Sequence, residues 1–84
     1  MCELLLNLDK LHTTELGEQR IKRNLSLNCD DAVDWCKQRI EDENAAIERV
    51  GKNWYIVVDN FIITVNGYSY TIITAHIKKK TMIF

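Results

Sequence analysis

The spacing of apolar residues changes along the chain. Leu4, Leu5, Leu8 and Leu11 recur at helical intervals and predict a first helix over residues 2–11. His12-Thr13-Thr14 interrupts that pattern. A threonine there suits the cap of a second helix over about 15–25, with Glu15 and Glu18 near its positive end. Leu16, Ile21 and Leu25 spread over about half of that helix's circumference, and Gly17, Arg20 and Asn24 fall within the same arc. A glycine inside a helix costs about 1 kcal/mol against alanine, so Gly17 implies a close neighbour. A third helix is expected over about 29–42. Asn28 and Asp31 stand at capping spacing, Val33, Cys36 and Ile40 form one stripe, and Trp35 flanks it.

From Ala45 onward the period becomes two. Strands are expected at 45–50, 53–58, 61–66 and 68–77, with two-residue turns at Asp59-Asn60 and Asn66-Gly67. That register sets Trp54 opposite Val65, Ile56 opposite Ile63, and Val58 opposite Phe61. Across the later turn it sets Val65 opposite Tyr68, Ile63 opposite Tyr70, and Phe61 opposite Ile72. All of these share one apolar face. The other face mixes Tyr55, Thr64, Asn66, Ser69 and Thr71 with Val57, Ile62 and Ile73. Helices first and an antiparallel meander after them make an α+β fold: three N-terminal helices packed on three or four strands.

Composition narrows the picture further. At 84 residues the chain reads as one domain over 1–84, with 46% hydrophobic and 27% charged residues and a net charge of −1. No apolar run approaches the roughly 18 residues of a membrane helix, and LLLNL is too short and interrupted for a signal sequence. The expected setting is cytoplasmic, with no membrane partner. Cys2, Cys29 and Cys36 are odd in number and form no C-x-x-C pair, which speaks against a disulfide framework or a zinc site. Basic residues cluster at Arg20, Lys22 and Arg23 and at Lys78–Lys80, while acids crowd Asp30–Glu43.

The fourth strand carries the candidate chemistry. Continuing its register puts Thr74 and His76 on the core side at the sheet rim, where polar groups are unexpected. The His12 break and an inward Arg20 would meet them there, with Tyr70 and Asn24 as neighbours. Two imidazoles and a guanidinium suit phosphodiester cleavage. One imidazole takes the proton of a 2′-hydroxyl, the other protonates the leaving oxygen, and the arginine stabilises the extra charge. That reaction requires no cofactor. The plainer readings stand beside it. His12 can cap a helix end, His76 can be an idle rim histidine, and Arg20 can pair with Glu15 or Glu41. Two histidines alone do not complete a metal site.

The stretches LDKLHTTELGEQRIKRNL and WYIVVDNFIITVNGYSYTIITAH resemble a small bacterial family of unknown function carrying H-T-T-E-L-G-x-x-R-I-x-x-N-L and I-T-V-N-x-x-S-Y-T-I-I-T-A-H. More loosely, helices followed by a sheet ending in T-x-H are similar to the barnase, EndoU, colicin and RelE group of toxin-type ribonucleases. That resemblance implies His12 and His76 as acid and base, Arg20 and Thr74 as phosphate holders, and RNA as the substrate. It is an analogy of fold. The chain departs from such toxins in being slightly acidic. The alternative is a small non-catalytic interaction or inhibitor protein of phage or mobile-element origin. Its partner would be a macromolecule such as an antitoxin or an inhibited target, met by the acidic helix Asp30–Glu43 or by the mixed sheet face with Tyr55 and Ile62. A third possibility is a homodimer through the apolar residues of that face.

Overall fold

The computed structural model describes residues 3–25 and 31–77. Three helices, α1 (Glu3–Leu6), α2 (Glu15–Leu25) and α3 (Ala32–Ile40), precede four strands, β1 (Ala46–Val50), β2 (Asn53–Val58), β3 (Phe61–Asn66) and β4 (Ile72–Ile77). The sheet is antiparallel, in the order β1-β2-β3-β4. The expected α+β class and the meander are both present. The first helix is shorter than its leucine spacing suggests. Asn7 donates its side-chain amide to the Glu3 carbonyl at 2.9 Å, and a 3-10 turn at Leu8–Lys10 follows.

Helix α2 starts at Thr14, whose hydroxyl accepts from the Gly17 amide at 2.9 Å. Thr13 turns the other way and donates to the Ile72 carbonyl at 3.0 Å. A Cβ on Gly17 would collide with the Thr13 hydroxyl, which supplies the close neighbour the sequence implied. The buried stripe of α2 is Gly17, Ile21 and Leu25, at intervals of four. Leu16 falls outside it and is exposed, contrary to the wider arc read from sequence. Helix α3 is capped by Asp31, whose carboxylate accepts from the Asp34 amide at 3.1 Å. The cap expected at Asn28 lies outside the described residues, as do Cys2, Cys29 and Lys78–Lys80. Its buried stripe is Ala32, Cys36 and Ile40, with Val33 only half-buried. The ring of Trp35 meets Phe61 edge to face at 5.0 Å.

These stripes share one cluster with Trp54, Ile56 and Val58 of β2, Ile63 and Val65 of β3, and Ile72 and Ala75 of β4. Ile21, Ile40, Ile56, Ile63 and Ile72 are fully buried, each contributing about 1.5–3 kcal/mol of transfer free energy. Helix α2 runs along β4, with Thr13 at Ile72 and Asn24 reaching the Ala75 carbonyl at 3.4 Å. Ala75 presents only a methyl group toward the helix side, which leaves room for that close approach.

Strands β2 and β3 pair as read from sequence: Trp54 with Val65, Ile56 with Ile63, Val58 with Phe61. The β3–β4 register does not. Val65 faces Ile72, Ile63 faces Ala75, and Phe61 faces Ile77. Asn66-Gly67 is not the centre of a two-residue turn, because neither residue has the positive φ such a turn demands. Instead the Asn66 carboxamide oxygen accepts from the amides of Tyr68 at 2.8 Å and Ser69 at 2.9 Å. The chain therefore stays in the loop through Tyr70, whose φ is 59°. Between Thr64–Thr74 and Val65–Ile72 one extra residue, Ile73, bulges from β4. The bulge swaps the faces of everything after it. Ala75 turns inward and His76 outward, the reverse of the expected placement.

Candidate functional site: the loop end of the sheet

His12 sits beyond β4 as a one-residue parallel extension of the sheet. Its amide donates to the Tyr70 carbonyl at 3.2 Å, and its carbonyl accepts from the Ile72 amide at 2.7 Å. The imidazole is held at both nitrogens. Nδ1 lies 2.9 Å from the Lys10 carbonyl, and a carbonyl only accepts, so Nδ1 carries the proton. In the neutral ring Nε2 then accepts from the Thr71 hydroxyl at 3.1 Å. The Thr71 hydroxyl also lies 2.7 Å from the Ser69 hydroxyl, which donates to the Asn66 carboxamide oxygen at 3.2 Å. His12, Thr71, Ser69 and Asn66 thus share one network across the loop. A base oriented by a carbonyl and facing a hydroxyl has the outline of an activated nucleophile. The same bonds also tie the Leu11–Thr13 segment to the loop.

The other candidate residues are distributed as follows. Tyr70 joins this end, half-buried against the core, with Lys10 Nζ 5.9 Å from its ring centre. Thr74 is half-buried opposite Thr64. His76 is exposed opposite Ile62, near the far end of β4. Arg20 is exposed on α2, and its side chain has no hydrogen bond or ion pair to another described residue, so the expected inward position is corrected. It faces outward because the buried stripe runs through Gly17, Ile21 and Leu25, which leaves position 20 on the solvent side. Asn24 is exposed and contributes its bond to Ala75. The expected convergence of His12 with His76 does not occur. With Ile73 bulged out, His76 opposite Ile62 stands four ladder positions from Thr71 opposite Asn66, roughly 13 Å at strand spacing. Among the described residues no group of three or more His, Cys, Asp and Glu side chains is placed to hold a metal ion.

Sequence reasoning passed over Arg49. Its guanidinium carbon lies 5.2 Å from the Trp54 ring centre and 5.4 Å from that of Tyr68, and its Nε donates to the Gly51 carbonyl at 3.0 Å. Gly67 makes room for it: a Cβ there would come within 2.5 Å of the guanidinium carbon. The Gly67 amide donates to the Lys52 carbonyl at 2.7 Å and so ties the β1–β2 turn to the β3–β4 loop. A readable signal was present in the sequence. Residues 50–53 and 66–71 contain Lys52, Tyr68 and Tyr70 and no acid.

No helix among the described residues is long and apolar enough to cross a membrane. No curated protein and no solved structure matches the chain. Residues 5–76 do match a family described as "Protein of unknown function (DUF3781)", a span that runs from within α1 to His76 in β4, and the chain belongs to that family.

Proposed function

We propose that the protein is a small non-catalytic interaction domain that binds a protein partner through the second face of its sheet. One observation carries this reading. Tyr55, Val57 and Ile62 lie on that face beside Thr64, Thr74 and His76, and none of them belongs to the cluster shared by the helices and the first face. Ile73 bulges from the adjoining strand with 41% of its surface exposed. Apolar side chains interleaved with hydroxyls suit a protein contact with a desolvated centre and a polar rim.

Ribonuclease chemistry needs two proton-transfer groups within reach of one phosphodiester. The separation of His12 from His76 favours the interaction reading over it. The test places a charge at the centre of the face. Affinity capture from the native host is run with the wild type, with Ile62→Glu and with Arg20→Glu, after circular dichroism shows that all three fold. The expected result is a partner retained by the wild type and by Arg20→Glu but lost with Ile62→Glu. Sedimentation of the purified chain distinguishes a second copy from a foreign partner. Capture that is indifferent to Ile62→Glu contradicts the reading.

A further inference from the structure

The loop end carries a second surface, on different residues and independent of the face just described. Arg49 pairs with Trp54 on the helix side of the sheet, not on the face of Tyr55 and Ile62. The segments at this end carry three cations: Arg49 beside the Tyr68 ring, Lys10 beside the Tyr70 ring, and Lys52 in the β1–β2 turn. Arg49 is held on two sides by Trp54 and Tyr68 and at Nε by Gly51, so its planar head is fixed before any ligand arrives. Neither of its terminal nitrogens has a hydrogen-bond or ion-pair partner among the described residues. The turn and the loop that frame it contain no acid. Glu48 precedes the turn but pairs with Tyr55 on the opposite face, Asp59 lies at the other end of the sheet, and Asp9 stands beside Lys10. Tyr68 is 75% exposed, and Arg49 covers one side of its ring.

We infer that this end binds single-stranded nucleic acid. An unpaired base stacks on the free side of Tyr68, and the flanking phosphates meet Arg49, Lys52 and Lys10. The combination selects for that class of ligand. Exposed aromatic faces take any unpaired base, and nearby cations follow the backbone. A duplex hides its base faces in the stack, so the free side of Tyr68 has nothing to meet there. An acidic peptide would satisfy the cations and gain nothing from Tyr68. The His12–Thr71–Ser69 bonds hold the loop that carries Tyr68, so the platform is built before binding.

The experiment uses the full chain and a fluorescein-labelled single-stranded oligouridylate of about 12 nucleotides, within the range a small module covers. Anisotropy is read at several salt concentrations. Saturable binding is expected, with a log–log salt slope of about −2 for three phosphate contacts to a single strand. Tyr68→Ala changes an exposed side chain and leaves the fold intact. It weakens binding about tenfold or more. Arg49→Lys keeps the charge but loses the fixed planar head, and it weakens binding as well. Lys52→Ala makes the salt slope shallower by about 0.7. A labelled polyglutamate and a duplex of the same length bind more weakly and do not respond to Tyr68→Ala. The inference is overturned if no saturable binding appears at low salt. It is overturned equally if the single strand, the duplex and polyglutamate bind alike with no effect of Tyr68→Ala. Neither result touches the Ile62 face.

Discussion

The two ends of the sheet are built from similar sequence and by opposite means. At the far end, β2 and β3 are joined by Asp59-Asn60, where Asp59 takes a φ of 55°. The turn is as short as its dipeptide suggests, and the strands it joins alternate without interruption. At the loop end, Asn66-Gly67 promises the same turn and forms a different structure. The Asn66 side chain gathers the next amides, Tyr70 takes the positive φ, and His12 bonds across to Thr71. The far end also gathers acids, in Glu41, Asp42 and Glu43 before β1, while the loop end gathers cations and rings. A turn dipeptide is decisive when its side chains face water. It loses its force when one of them has backbone donors to satisfy and a distant segment arrives to pair with the loop.

The largest effect should come from the residue that the bulge turns inward. Ala75 is fully buried and His76 exposed, whereas unbroken alternation from Asn66-Gly67 would reverse them. Ala75→Asp places a carboxylate in the core beneath α2 and should cost about 3 kcal/mol or more. That lowers the thermal midpoint by more than about 10 °C in a domain of this size. His76→Asp should stay within about 0.5 kcal/mol. Thermal unfolding followed by circular dichroism reads both, and a larger loss for His76→Asp would mean the bulge is misplaced.

A smaller effect separates the two turns. Asn66→Ala removes the acceptor for the Tyr68 and Ser69 amides and should cost about 1–2 kcal/mol. Asn60 makes no side-chain hydrogen bond among the described residues, so Asn60→Ala should cost less than about 0.5 kcal/mol. Equal losses in urea titrations would show that the Asn66 side chain does not organise its loop.

Much of the fold was legible because local and long-range signals agreed. The Thr14 cap, the close approach at Gly17 and the β2–β3 register each rest on side chains whose partners are near in sequence or fixed by strand alternation. The outward turn of Leu16 and Arg20 depends on where β4 lies beneath α2, which helical spacing alone does not specify. The bulge at Ile73 was hidden for a related reason. It compensates for a longer loop, and that loop exists because Asn66 and His12 find partners that no period reveals. The candidate site inherited this error. An unbroken register put Thr74 and His76 on the core side near Arg20, and one extra residue sends them to the other face. Arg49 was overlooked because a charged residue on an edge strand normally faces solvent without a role, and only its seat between Trp54 and Tyr68 sets it apart.

The two histidines stand at different ends of the sheet, His12 beside Thr71 and His76 opposite Ile62, too far apart to serve one phosphodiester. The most direct test is incubation of the purified protein with single-stranded RNA, scored for 2′,3′-cyclic phosphate ends against a His12→Ala, His76→Ala double variant. The wild type is expected to produce no more of these ends than the double variant. Cleavage by the wild type that disappears in the double variant would contradict it and return both imidazoles to one active site.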